Sequence, residues 1–583
     1  MTEDRKIVSI DVFDTAIFRS VYNPKDVFKV IENRVHKNFY ECRVEAQKKA
    51  GLKNANYSLV DIYSYMPSYF DLKEEIIEEI KGARPNKYIL DFYNANRNKY
   101  DFVFISDMYL PSKVIKALLE HAGYVNPKVF VSCEEKCMKC DGRLFLRVQE
   151  KLGRKIYKHI GDNYNIDIKG AKLARIPNVE FIGPPIYMRD VETPELKNPL
   201  LRKLLIDNEF NEETDMAYKI GYMFSPLVLL FTQEVLKKAT DNNTIYFNAR
   251  DSFLMYLIAR WVLKTKKKIK YCRFSRKSVH FPYININYNI TDERNKKPFN
   301  FLAMARVNSL KDFVASFKID FPADIKELLL KYHITEDTDL LLRSDRTQIL
   351  REFIVLAKKE IYKKALHERK NFIQYIKKLG MKSGDIFVDL GHFGSMQSII
   401  QGITGIKLQG EYIHLFENYD KPFEDKAIKN SLLPHGFIKF FTGIVEVVMT
   451  EPKGTVIGYN EKGTPVITTD IKYRKRVTKR IIRGVIQGAK DIVNNKIDVC
   501  LEDCMNILKR FLEYPTLEEA SFANDKIFEN GSLFANESVV WYNREMIKQG
   551  KIKDCYNKSY WKPAFRVLLL NDPDYKFLLG ELR

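Results

Sequence analysis

Short apolar segments that each end in a polar residue and then run into a helical stretch dominate the first 190 residues, and they leave few folds open. Residues 6–10 read as a buried strand ending in Asp11-Val12-Phe13-Asp14-Thr15. Residues 101–105 end in Ser106-Asp107 and lead into a helix over 112–121. Residues 128–131 precede a polar loop containing Lys139, and residues 155–160 end in Gly161-Asp162, followed by Asp167 and the small pair Gly170-Ala171. Strands alternating with helices over such lengths predict an α/β fold with a parallel, doubly wound sheet. Such sheets place their ligands beyond the carboxyl ends of the strands. From Ile17 to about Tyr100 the pattern is helical, with apolar residues at three- and four-residue spacing over 26–36 and 72–81.

An Asp, a Ser and a second Asp at three strand ends, with a Lys on a nearby loop, form an ordered set over residues 6–171. The set resembles the four motifs of the haloacid dehalogenase (HAD) superfamily, most of whose members are phosphatases. The resemblance implies a Rossmann-like sheet with a helical cap, here about 17–100, within a domain of residues 1–190. It makes Asp11 the nucleophile that forms an aspartyl-phosphate. Ser106 matches the hydroxyl that bonds the transferring phosphoryl group, and Lys139 matches the lysine that neutralises its charge. Asp162 and Asp167 match the acids of the last motif. The implied cofactor is Mg²⁺, held by Asp11, the Phe13 carbonyl, Asp162 and Asp167, hard oxygen donors of the kind this ion takes. Thr15 and Asp107, beside the motif residues, are expected to touch substrate.

Phe13 departs from that pattern. The superfamily's phosphatases carry an Asp two residues after the nucleophile as general acid and base; here the acid comes one place later, as Asp14. Proton transfer to a leaving group contributes about 10²–10⁴ in rate. Two readings therefore stand: a hydrolase in which Asp14 takes over, and a former phosphatase kept as a binding module. In the expected cap, Arg43, Glu45, Arg84 and Asn86 are polar residues that either face the site or lie on solvated helix faces. Cys133, Cys137 and Cys140 have a C-x₃-C-x₂-C spacing suited to an iron–sulfur cluster or zinc. Lys139 falls inside that segment at the motif-three position, which favours free thiols.

Pro184-Pro185 and Thr193-Pro194 mark an exit from the first domain. A helical connector over 191–240 leads to a second α/β pattern over 241–420. Its strands are expected at 244–248, 268–274, 385–390 and 409–416, with helix over 253–262 and a largely helical insertion at about 299–379. The first of these strands ends in Ala249-Arg250-Asp251-Ser252 and the second in Ser275-Arg276-Lys277. The third ends in Gly391-His392-Phe393-Gly394-Ser395. A strand, a Gly-x-x-Gly-Ser turn and a helix expose backbone N–H groups to an anion; the same turn also serves simply to pack helix on strand. Arg250, Asp251, Arg276, Gly391, His392, Gly394 and Ser395 are the candidate substrate contacts, with Arg273, Lys277 and Asp389 beside them. These turns are similar to those in large HAD-containing proteins encoded among bacterial capsule and lipopolysaccharide genes. That resemblance implies surface-polysaccharide biosynthesis, with a phosphosugar, a nucleotide sugar or a glycan acceptor as ligand.

Charge and composition bound the rest. The 583 residues carry 96 Lys+Arg against 75 Asp+Glu, a net +21 that favours anionic partners. No zinc finger, RNP motif or aromatic–basic platform is present, so nucleic acid is not expected. Residues 421–583 read as mainly helical, and 472–480 hold six basic residues in nine positions beside Ile481, Ile482 and Val485. That stretch is either a solvated helix face or a peripheral contact with acidic lipid or glycan. Eight cysteines are too few for a disulfide scaffold, and no secretory signal or membrane-length apolar run is visible, so a cytoplasmic location is expected, at most peripheral to the inner membrane surface. Three functions follow from the sequence: an Mg²⁺-dependent HAD hydrolase or phosphotransferase with a second anion-binding domain, a glycosyl- or sugar-phosphate transferase acting through its C-terminal domain, and a non-enzymatic scaffold.

Overall fold

A computed structural model describes residues 5–582 apart from 22, 36–37, 184–195, 212, 288–291, 293–301, 303–306, 342, 419–426, 469–471, 525 and 530–535. The proline pairs taken as the domain exit, at 184–185 and 193–194, lie outside the described residues. The chain forms two compact units: one of Met1–Glu213 with Ile497–Asn506, the other of Thr214–Lys496 with Ile507–Arg583.

Among its described residues the first unit has seven strands: β1 (Ile7–Ile10), β2 (Ile17–Arg19), β3 (Ala83–Pro85), β4 (Asp101–Ser106), β5 (Lys128–Val131), β6 (Ile156–Gly161) and β7 (Asn178–Phe181). Five of them make an all-parallel sheet in the order β5-β4-β1-β6-β7. From β1 the chain adds strands first on one side and then on the other, so strand order reverses between β1 and β6. Open α/β sheets bind ligands at such a point. All four β1 residues are buried, as parallel strands covered on both faces require.

Helix was expected throughout 17–100. Instead β2 and β3 pair as a short antiparallel ribbon at either end of the excursion. Between them, helices Asp26–Val35, Phe39–Lys53, Leu59–Tyr63 and Leu72–Gly82 surround their own core of Val27, Phe28, Ile31, Phe39, Ile62 and Phe70. Helix Lys87–Asn96, also inside the expected cap, packs on the sheet instead, with Tyr93 against Phe102, Phe104 and Tyr124. Strand β7 went unread because its side chains are exposed or half-buried and show no apolar run.

The second unit repeats the principle. Strands β8 (Ile245–Asn248), β9 (Ile269–Cys272), β10 (Ile386–His392), β11 (Gln409–Leu415) and β12 (Ile428–Ser431) form a parallel sheet in the order β12-β11-β10-β8-β9, reversing between β8 and β10. β12 was not anticipated, and the helix from Phe253 changes after Leu257 into a π-helical turn, Ile258–Val262. Helices Leu310–Phe317, Ile325–Tyr332, Arg346–Leu356 and Lys358–Leu379 fill the insertion between β9 and β10 around Leu310, Phe313, Ile349, Leu350 and Phe353.

The basic stretch begins helix Lys472–Asn494. Ile481, Val485, Ala489 and Ile492 are buried on it, and the helix packs closely along Met216–Lys238. Its apolar stripe is thus occupied within the unit, and Arg480 pairs with Asp215 at 2.8 Å. No helix among the described residues is long and apolar enough to cross a membrane.

Candidate active site

The carboxyl ends of β1, β4 and β6 open onto a cavity of about 350 Å³. Asp11, Phe13, Asp14, Ser106, Asp107, Lys139, Asp162 and Asp167 all line it. Residues separated by up to 156 positions therefore meet where the strand order reverses. Asp11 is 6% exposed and its N–H donates to the Ile160 carbonyl at 2.9 Å, which ties the end of β1 to β6.

Lys139 is the electrostatic centre. It is 2% exposed, and its Nζ donates to Asp11 Oδ1 and, at 2.5 Å, to Asp167 Oδ1. Its backbone N–H donates to both oxygens of Asp107, at 3.1 and 3.0 Å, so Asp107 fixes the loop as well as lining the cavity. Gly170 is where that loop needs a glycine: a Cβ there would lie 2.0 Å from the Lys139 carbonyl oxygen. Burial works against the ammonium, but Asp11 and Asp167 outweigh it and raise the lysine's pKa.

The carboxylates around it divide. Burial raises Asp11 to about 8, with Asp167 and Asp162 adding to the rise and Lys139 opposing it. Asp162 goes up to about 6, chiefly through burial, with Asp14 and Asp167 adding to it. Burial works against the Asp167 carboxylate too, yet the His159 hydrogen bond and the lysine hold it well below the usual range. His159, which the sequence did not single out, is fully buried, with Nε2 3.5 Å from Asp167 and Nδ1 2.9 Å from Ser9 Oγ.

Asp11, Asp162 and Asp167 each bring a carboxylate oxygen to within 4.8 Å of the others. They are the one such group of three or more His, Cys, Asp or Glu among the described residues. Three acids crowded around one ammonium repel one another, which adds to the rise of Asp11 and Asp162, and a divalent cation relieves that repulsion. All three donors are hard oxygens, the chemistry Mg²⁺ takes. Thr15, expected to touch substrate, is buried and donates instead to Asp162 Oδ1 at 3.1 Å, steadying a metal-site carboxylate.

Phe13 and Asp14 occupy the turn after β1. Asp14 has a left-handed backbone, φ 61°, and burial raises its pKa against the pull of Arg19. Arg19 lies over the Phe13 ring at 4.0 Å and forms a two-pronged pair with Glu79 at 2.8 and 3.2 Å. From the excursion, Arg19, Pro24, Lys25, Phe28 and Gln47 face the cavity. None of the four polar residues proposed for that role does so. Arg43 is fully buried against Glu75 at 2.6 and 2.7 Å, and Glu45 is exposed beside Lys49. Arg84 pairs with Asp207, and Asn86 donates to the Thr15 carbonyl at 2.9 Å. Gln47 lies one helical turn along the same face and accepts from Arg43 Nη1 at 2.9 Å, so it is Gln47 rather than Arg43 that reaches the cavity.

The three spaced cysteines form no metal-ligand cluster among the described residues: Cys133 and Cys137 are buried, Cys140 is exposed, and Cys133 Sγ faces the Leu110 carbonyl at 3.6 Å. All eight cysteines are free thiols.

In the second unit, Arg250, Asp251, Arg276, Gly391, His392 and Ser395 line one cavity of about 140 Å³, together with Lys277 and Asp389. Gly394 does not; it faces Lys429, whose Cδ would lie 2.9 Å from a Cβ at that position. Arg273 is drawn away into a pair with Glu451 at 2.9 and 3.2 Å. Glu446 and Thr455 line the cavity without having been anticipated.

No protein-family model and no curated protein matches the chain. Among solved structures, it is similar to a HAD-family enzyme from Bacteroides thetaiotaomicron in complex with magnesium and inorganic phosphate, at 17% identity over 31% of this chain and 95% of that one, with a TM-score of 0.23. It is also similar to a 2-haloacid dehalogenase from Pseudomonas syringae pv. Tomato DC3000, at 13% identity over 30% of this chain and 86% of that one, with a TM-score of 0.23.

Proposed function

We propose that the first unit is a HAD-type, Mg²⁺-dependent phosphoryl hydrolase acting on a small phosphorylated metabolite. The observation that carries this reading is the convergence of Asp11, Ser106, Lys139, Asp162 and Asp167 on one cavity at the strand-order reversal. Asp11 Oδ attacks phosphorus, the leaving oxygen departs with a proton, and an aspartyl-phosphate forms. Water then attacks the same phosphorus, releasing phosphate and restoring Asp11. When bound, Mg²⁺ shields the phosphoryl oxygens and keeps Asp11 ionised for attack.

The chain's own residues do the remainder. Lys139 offsets negative charge on nucleophile and phosphate, and Ser106 donates to a phosphoryl oxygen. Asp14, facing the same cavity with its proton more firmly held than an ordinary Asp, delivers the leaving-group proton in place of the missing acid at Phe13. A cavity of about 350 Å³ suits a metabolite rather than a polymer. Lys25 and Gln47 at its mouth offer a cation and an amide to the non-reacting part of the substrate. A phosphosugar or nucleotide sugar of surface-polysaccharide synthesis fits both the amide and the turn resemblance.

Phosphate release from a panel of sugar phosphates with and without Mg²⁺ tests the reading. Asp11→Asn should lower it at least about 10³-fold. Full release by that variant, or release indifferent to Mg²⁺, overturns the assignment.

A further inference from the structure

The second unit holds a cavity that the hydrolase reading of the first leaves without a role. It lies where β8 and β10 are neighbours but β9 and β11 extend the sheet in opposite directions, so the connections leaving the strand ends diverge and open a crevice. Two non-glycine residues beside it hold left-handed backbones: Arg250 after β8 and His392 at the end of β10, both with φ 69°. Such conformations are strained and persist only where their surroundings fix them.

The surroundings do fix them. The Arg250 N–H donates to the Tyr271 hydroxyl at 3.0 Å, and its Nη1 donates to Thr455 Oγ1 at 2.8 Å. His392 Nε2 lies 3.1 Å from Glu446 Oε1, and its ring stacks on Phe416 with centroids 5.1 Å apart. A rigid frame therefore sets the positions of the charges.

Those charges are sorted by depth. Arg276 is exposed and makes no ion pair among the described residues, and Lys277 follows it. On the inner side are Asp389, buried in the middle of β10, and half-buried Asp251. Burial and mutual repulsion raise Asp389 to about 8; burial and Glu446 raise Asp251 to about 6. Near neutral pH Asp389 therefore donates as well as accepts hydrogen bonds, while Asp251 chiefly accepts them. A bare anion drawn in by the cations meets acids on its other side, whereas a ligand with hydroxyls next to its anionic group satisfies both. At about 140 Å³ the cavity is well below the roughly 300–1,000 Å³ of ordinary small-molecule sites, which favours a single sugar over a nucleotide.

We propose that this cavity is a second small-molecule site, binding a sugar or polyol phosphomonoester with its phosphate on Arg250, Arg276 and Lys277 and its hydroxyls on Asp251 and Asp389. The site is independent of the first unit's chemistry and stands whether or not that unit hydrolyses phosphate.

Calorimetric titration of the full chain carrying Asp11→Asn, in EDTA, with ribose 5-phosphate, glucose 1-phosphate and inorganic phosphate tests it. At least one sugar phosphate should bind more tightly than inorganic phosphate. Adding Arg276→Ala, a surface change, should weaken that sugar phosphate by about tenfold or more. Adding Asp251→Asn should weaken the sugar phosphate without weakening inorganic phosphate. Absence of sugar-phosphate binding, or its survival in both Arg276→Ala and Asp251→Asn, overturns the proposal. Phosphate release by the wild type is a separate readout, so the two readings fail separately.

Discussion

Asp14 and Asp389 are both acids held away from water, and each makes a measurable statement about its site. If Asp14 carries the leaving-group proton, Asp14→Asn should slow hydrolysis of alkyl phosphates about 10²-fold or more while barely affecting p-nitrophenyl phosphate, whose leaving group departs unaided. Equal losses on both substrates would make Asp14 structural. Asp389 titrates at about 8 in the fold against 3.8 for an exposed Asp, as part of a pair with Asp251. A raised carboxyl pKa means the folded state holds the proton more tightly, so that contribution to stability is complete below about pH 4 and is lost as pH rises through 8. Between pH 6 and 9 the melting temperature of wild type should therefore fall more steeply than that of Asp389→Asn. Parallel curves would refute the shift. At this scale Asp11, Ser106 and Asp162 were legible because each stands at the end of an apolar strand, with Lys139 and Asp167 in the polar segments that follow. Arg19 was not, since it ends a three-residue strand with no pattern of its own, and Glu446 was hidden as the lone acid in an apolar helix, Thr442–Met449.

Elements were legible where burial writes a periodicity and illegible where it does not. β1, β5, β8 and β10 are apolar runs, whereas β7 and β12 present mostly exposed or half-buried side chains and look like loops. The β2–β3 ribbon joins residues more than sixty positions apart, a pairing that no local signal encodes. The helix pair Met216–Lys238 and Lys472–Asn494 shows the same limit. A Cβ on Gly221 would lie 2.1 Å from the Ile481 carbonyl oxygen, and one on Gly484 the same distance from that of Tyr218. The two backbones touch at glycines that in sequence merely weaken a helix. Gly484→Ala should destabilise the second unit by about 1–3 kcal/mol through overpacking, despite alanine's better helix propensity, as urea denaturation will show. A stabilised variant would mean the helices separate without cost.

Neither unit of the whole molecule is a single stretch of chain. In the first unit the Lys197 N–H donates to Asp503 Oδ1 at 2.7 Å, Asn198 Nδ2 to the Asp498 carbonyl at 3.2 Å, and Lys197 Nζ pairs with Glu502 at 2.5 Å. A fragment ending at residue 213 loses all three partners. It should melt several degrees below the first-unit transition of the full chain, followed by near-UV circular dichroism, and equal melting would show the returning segment to be dispensable. Element patterning pointed to successive domains along the chain, but nothing in the local sequence near 497–506 marks it as belonging with residues 1–213. That return also sets an order of events during synthesis. Roughly 280 residues separate Glu213 from the piece that rejoins it. At about 5–20 residues per second the ribosome takes about 15 s to a minute to supply that piece. Throughout that interval the nascent first unit carries an uncovered docking strip, and chaperones have that long to find it.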